Sequence, residues 1–126
     1  MMDERVKKPS FAYRRFIKTL GHSAAGLAFA WRSEEAFRVE VLLCLALVPL
    51  AFVLEPSALG RLLLIGSLLL VLIVELLNTA IEKTVDRISM EHHQLSKSIK
   101  DLGSAAVGLA LVLALLVWMA VLLWMH

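Results

Sequence analysis

The 126-residue chain holds one cysteine, three prolines, six glycines and a single tyrosine, and only 19% of its residues are charged. A soluble domain carries about a quarter charged residues, so this chain has little with which to cover a water-facing surface. The one thiol, Cys44, excludes an internal disulfide, and its place in an apolar run reads as a small core residue. The few glycines fall in neither G-x-x-x-x-G-K-[ST] nor G-x-G-x-x-G, so no known soluble nucleotide fold is signalled. His92 and His93 are adjacent in a polar stretch with no further His or Cys to complete a tetrahedral set, so no transition metal is expected. What is abundant is apolar: 60% of residues, with a mean hydropathy of +0.79. Together these features exclude a soluble globular domain, a disordered chain and a secreted disulfide scaffold.

From Val39 onward the apolar residues form long runs rather than an amphipathic or alternating pattern. Three runs, about 36–54, 62–81 and 104–124, approach the ~20 residues needed to cross ~30 Å of hydrocarbon. Lipid offers no partner for backbone amides, so each must be helical. The first break, Glu55–Arg61, is a tight turn containing Pro56. The second, from roughly Asp86 to Asp101, is longer and polar. Pro49 lies inside the first span, where membrane helices tolerate a kink.

Eight of the 13 Lys and Arg residues precede or open the first span, four surround the second break, and only Arg61 lies in the short turn. The positive-inside rule then puts the N-terminus and the long break in the cytoplasm, with the Glu55–Arg61 turn and the C-terminus outside. No secretory signal is recognised. Trp118, Trp124 and His126 suit the outer interface. Ahead of the spans, about 9–30, Ser10 can cap a helix on which Tyr13, Phe16, Ile17, Leu20, Ala24 and Leu27 recur at helical spacing, with Arg14, Arg15 and Lys18 on other faces. That is a basic amphipathic helix suited to an anionic membrane surface; the bland alternative is a helix packed on the bundle with solvated charges. The expected architecture is an all-α membrane protein forming one domain, 1–126, with a surface helix and three transmembrane helices.

The second span carries the chemistry. At 100° per residue, with Glu75 as origin, Asn78 falls at about 300°, Thr79 at about 40°, Glu82 at about 340° and Asp86 at about 20°. Three carboxylates, an amide and a hydroxyl share one stripe. An intramembrane carboxylate costs at least ~2–3 kcal/mol and marks a functional site more often than a polar seam. At the same membrane level stand Glu34, Glu35, Arg38 and Glu40 before and in the first span, and Glu91, His92, His93, Lys100 and Asp101 before the third. Carboxylates from two helix ends with a lysine nearby suit Mg²⁺ together with substrate phosphates, since Mg²⁺ takes only one or two protein carboxylates. A carboxylate withdrawn from water can act as general base, and Glu75, the deepest, fits best. In the third span Ala106, Ala110 and Ala114 recur every four residues, a close-packing stripe, and Ser104 sits at the interface where a ligand would pass.

A small transporter also uses a membrane carboxylate, but its site should lie at the midplane, whereas these acids run out to one leaflet. A non-enzymatic adaptor would leave the stripe without purpose. No nucleic-acid partner is expected.

The run Ile73–Ile88, Ile-Val-Glu-Leu-Leu-Asn-Thr-Ala-Ile-Glu-Lys-Thr-Val-Asp-Arg-Ile, resembles the signature of the prokaryotic diacylglycerol kinases. Glu91-x-His93-x-Leu95-Ser96 and Ile99-Lys100-Asp101-Leu102-Gly103-Ser104-Ala105-Ala106 follow in register. So do Gly21-x-Ser23, Gly26-Leu27, Ala30-Trp31 and Glu34-x-Ala36-Phe37-Arg38-x-Glu40 upstream, covering nearly the whole chain after Phe11. The resemblance implies a homotrimeric lipid kinase of the bacterial inner membrane, with sites at the cytoplasmic interface that draw on neighbouring chains. It implies transfer of the γ-phosphoryl of MgATP to the hydroxyl of diacylglycerol, giving phosphatidic acid.

By the same resemblance Glu75 is the base, Glu34 and Glu82 are the Mg²⁺ carboxylates, and Asn78 and Asp86 support them. Arg15, His22, Glu34, Glu82, Glu91, His92, His93, Lys100 and Asp101 would line the nucleotide. Arg15, Ser23, Trp31, Phe37, Arg38, Glu40, Glu75 and Ser104 would hold the lipid. His22 stands where Tyr is common, Ser33 where Asn is common, Ala24, Ala25 and Ala28 where larger or basic residues are, and Ser98 where a basic one is. These departures bear on the grip of nucleotide and lipid rather than on the reaction. A sister branch phosphorylates undecaprenol; Leu95-Ser96 and Gly103–Ala106 look more like the diacylglycerol branch.

Overall fold

The computed structural model describes residues 10–88 and 94–126. Four helices follow one another: α1 (Phe11–Ser33), α2 (Glu35–Leu54), α3 (Ala58–Ile88) and α4 (Gln94–Met119), the last ending in a π-helical turn, Ala120–Trp124. Among the described residues there is no strand, and α2, α3 and α4 with its π turn are each long and apolar enough to cross a membrane.

Each junction has a local cause. Ser10 opens α1 by accepting a hydrogen bond from the Tyr13 amide at 3.2 Å. A single extended residue, Glu34 (φ −123°, ψ 110°), separates α1 from α2. Arg38 secures that corner from α2 by donating through Nη1 to the Trp31 carbonyl at 2.9 Å and the Arg32 carbonyl at 3.3 Å, satisfying the frayed end of α1. Because the Glu34 side chain makes no capping bond, its carboxylate is free to face α3. Pro49 is accommodated within α2.

At the opposite end Glu55 is extended, and Pro56-Ser57 turns the chain. The Ser57 hydroxyl accepts from the Gly60 amide at 3.0 Å, starting α3. Glu55 is wholly buried there, and its carboxylate accepts from the Ser57 amide (3.0 Å), the Ser57 hydroxyl (2.8 Å) and His126 (2.6 Å). Gly60 is required because a Cβ would strike the Glu55 side chain.

α3 is the central helix and packs most extensively on α4. Leu64 meets Ala51 and Val121, and Val71 meets Ala110 and Ala114. Small residues let the backbones close up where lipid supplies no hydrophobic drive between helices. Ala110 and Ala114 are buried as the four-residue spacing expects, but Ala106 is exposed; the contact passes instead to Gly103, packed against Asn78. Trp118 points inward and donates to the Leu64 carbonyl at 3.3 Å, while Trp124 is exposed. Apart from buried Ala30, α1 exposes every residue, its apolar face included.

The helices overrun the apolar spans. α3 continues past Ile81 to Ile88, and α4 begins at Gln94, so most of the expected polar break is helical. Hydropathy marks where lipid can end, whereas Glu, Lys and Arg in water sustain a helix readily. Lys100 on α4 reaches Asp86 on α3 at 2.6 Å and ties the two extensions together.

Candidate functional site

The acidic stripe of α3 lies where the α1–α2 corner and the first part of α4 converge. Glu75, Asn78 and Thr79 are all buried, and Glu82 is partly buried. The Glu40 carboxyl group of α2 lies against that of Glu75, and Glu34 and Glu82 are close enough to act electrostatically on Glu75. Carboxyl groups from two helices and a corner therefore share the neighbourhood of Glu75, three of them acting on it.

Around them the hydrogen bonding is incomplete. The Thr79 hydroxyl donates to the Glu75 carbonyl at 3.0 Å and leaves the Glu75 side chain alone. Asn78 Nδ2 donates to Glu82 Oε1 at 3.3 Å, which holds that carboxylate on the stripe. Asn78 Oδ1 and Glu40 Oε2 are buried without a partner. An unsatisfied buried polar atom costs about 1–3 kcal/mol, so two in one cluster point to groups that a ligand completes. Gly103 of α4 is packed so tightly on the Asn78 amide that any Cβ would displace it; helix α4 thus fixes the amide that fixes Glu82.

Cations lie at the rim. Lys83 Nζ is 3.3 Å from Glu34 Oε1, with side chains 47% and 19% exposed. Such a pair contributes roughly 0–1 kcal/mol, so its effect is on position more than on stability. Lys97 pairs with Asp101 at 2.8 Å on the exposed face of α4.

A family model for prokaryotic diacylglycerol kinase matches residues 21–122. A protein named diacylglycerol kinase from Escherichia coli (strain K12) is 49% identical over 114 residues, covering 90% of this chain and 93% of that relative. Another from Pseudomonas aeruginosa is 51% identical over 110 residues (87% and 89%), and one from Helicobacter pylori strain 26695 is 40% identical over 118 (94% and 92%). The chain belongs to the prokaryotic diacylglycerol kinase family. With three helices long and apolar enough to span, it is a bacterial membrane protein.

The site residues expected from sequence fall in different places. Glu34, Glu40, Glu75, Asn78 and Glu82 come together, with Gly103 of α4 packed on Asn78, while Ser104 is exposed. Asp86, Lys100 and Asp101 form the rim, each already in an ion pair. Arg15 and His22 stand exposed on α1; Arg15 shares a shallow basic patch with Arg14 and Lys18, and among the described residues nothing ties it to the carboxylates. Phe37 is buried, Trp31 is exposed, and Arg38 is engaged with the end of α1. Glu91, His92 and His93 lie outside the described residues. Among those described, no three His, Cys, Asp or Glu side chains gather into a metal cage. Glu34 and Glu82 do offer carboxylate oxygens of the kind Mg²⁺ takes singly or in pairs with phosphates. Sequence spacing gives neither Lys83 nor Gly103 a role, because both act through neighbours distant in sequence.

Proposed function

We propose that this chain is a membrane-embedded lipid kinase that transfers the γ-phosphoryl of ATP to the free hydroxyl of diacylglycerol, giving phosphatidic acid and ADP. The observation that carries the reading is that Glu34, Glu40 and Glu82 all act on buried Glu75, while Asn78 beside it holds Glu82 and keeps an unpartnered oxygen. Phosphoryl transfer demands positioning and charge neutralisation more than covalent chemistry, which a chain without a soluble lobe can provide.

Glu75 is the base. Its carboxylate takes the proton of the lipid hydroxyl as that oxygen bonds to the γ-phosphorus and the bond from phosphorus to the β–γ bridging oxygen breaks. Asn78 keeps Glu82 aligned, and Glu34 and Glu82 would hold Mg²⁺, which supplies charge neutralisation for the phosphates when bound. Lys100 and Asp101 stand at the nucleotide side, and Ser104 and Glu40 at the lipid headgroup. Arg15, His22 and Ser23 of α1, together with Glu91, His92 and His93, complete the nucleotide and lipid contacts. The lysine and arginine distribution supports an inner-membrane orientation with the acidic end cytoplasmic and the Glu55 turn outside. The reading includes a homotrimer in which α1, whose Arg15 has no tie to a carboxylate among the described residues, serves a neighbour's site.

The deciding assay offers purified protein in mixed micelles labelled ATP with diacylglycerol or undecaprenol. Label in phosphatidic acid is expected. Label only in undecaprenyl phosphate moves the chain to the sister reaction, and transfer to neither returns the transporter reading.

A further inference from the structure

Between α1 and α3 runs an open groove of about 540 Å³. Its walls are mostly apolar, with Leu27 and Phe29 from α1 and Leu76 and Ala80 from α3 beside the hydroxyls of Ser23 and Thr79, and among the described residues Lys83 is its only charged lining residue. Leu76, Thr79, Ala80 and Lys83 form the helical stripe adjoining Glu75, Asn78 and Glu82, with Thr79 belonging to both. A molecule lying in the groove is therefore adjacent to the acidic cluster. The Lys83 ammonium has three donors, of which the Glu34 contact at 3.3 Å needs one, and its side chain is 47% exposed.

We propose that Lys83 distinguishes the phosphorylated lipid from its precursor by holding the product's phosphomonoester at the mouth of this groove. The inference rests on the lipid-kinase reading. Diacylglycerol is uncharged, whereas its product carries a phosphomonoester beside two hydrocarbon chains. Apolar walls with a single cation match the second and offer no charge partner to the first. Lys83 can keep Glu34 while its remaining donors take phosphate oxygens. A charge-assisted contact at a half-exposed site favours product over substrate by about three- to ten-fold.

The test is equilibrium displacement of a fluorescent phosphatidate from the full-length protein in neutral-detergent micelles without nucleotide, so that nothing turns over. In the wild type, unlabelled phosphatidate should displace the probe at about three- to ten-fold lower concentration than diacylglycerol. Lys83→Met should erase that preference and Lys83→Arg should retain it; Lys83→Gln, polar but uncharged, repeats the charge test if the methionine variant does not fold. Preference unchanged in the uncharged variants overturns the proposal. Displacement by inorganic phosphate as readily as by phosphatidate would make this a free-phosphate site and overturn it too. Equal displacement by phosphatidylglycerol, a phosphodiester, would make this a general anionic-lipid patch and overturn the proposal as well. Wild-type transfer of label to diacylglycerol is measured separately, so loss of the kinase reading and loss of the Lys83 role give different results.

Discussion

Both ends of the helical hairpin formed by α2 and α3 bury a carboxylate, and the two are treated in opposite ways. Glu55, at the turn, is wholly buried and surrounded by donors: His126 at 2.6 Å, the Ser57 hydroxyl at 2.8 Å and the Ser57 amide at 3.0 Å. Arg61 closes the same turn by donating to the Glu55 carbonyl at 2.6 Å and the Phe52 carbonyl at 3.0 Å while lying over the Phe52 ring. The hydrogen bond from His126, followed by those from Ser57, holds the Glu55 carboxyl below its ordinary value of 4.5 against the opposing effect of burial. Glu75, at the other end, is buried among carboxyl groups, beside an amide oxygen and a Glu40 oxygen that have no partners. A satisfied buried charge closes a structure. A cluster of carboxyl groups with two unpartnered buried oxygens among the described residues does not, and burial alone would not have separated the two cases.

The contrast breaks most visibly at Glu75. Glu75→Gln keeps the shape and removes the base, so phosphoryl transfer to diacylglycerol should fall about 10²–10⁴-fold with thermal stability retained. Near-native turnover would remove Glu75 from the role. Glu82→Ala should raise the Mg²⁺ concentration for half-maximal activity by about ten-fold or more, and an identical Mg²⁺ titration would show that Glu82 is no ligand. Gly103→Ala carries the effect through packing: the new methyl pushes Asn78 away from Glu82, and activity should drop by about ten-fold with about 1–3 kcal/mol of overpacking strain. Unchanged activity and melting together would mean that the amide does not position Glu82.

At the turn the expected sign reverses, with stability affected and catalysis spared. Glu55→Gln should lower the melting temperature while kcat/KM stays within about two-fold of wild type. A carboxyl whose value is depressed on folding contributes stability that is complete above its unfolded value and disappears as pH falls through the folded one. Wild-type melting should therefore decline as pH drops below the ordinary carboxylate range, and Glu55→Gln should remove that component. Melting curves recorded against pH for both proteins make the comparison, and parallel curves would show that the Glu55 cluster is not the source.

Features with a local cause could be read from sequence, such as the three spans and the stripe. Glu75, Asn78, Thr79 and Glu82 share a face because helical geometry repeats every 3.6 residues, whatever the helix packs on. Hydropathy marks the polar break but not its backbone: Asp86 and Lys100 lie in it, yet they extend two helices and pair across them. Glu40 could be named as a residue near the site but not as the neighbour of Glu75, since that contact depends on how α2 lies against α3. The His126–Glu55 bond joins residues 71 apart in sequence and has no periodic signature.

The sequence by itself determined that this chain is built of helices apolar enough for a membrane, and which polar residues share one helix face. Those follow from the cost of exposing backbone and charge to lipid and from helical periodicity, both properties of neighbours in the chain. Only the tertiary structure decided which buried carboxylate is neutralised and which is left among its own kind. It also set Gly103 against Asn78 and Lys83 beside Glu34, because such pairings depend on the packing of helices that sequence spacing leaves free.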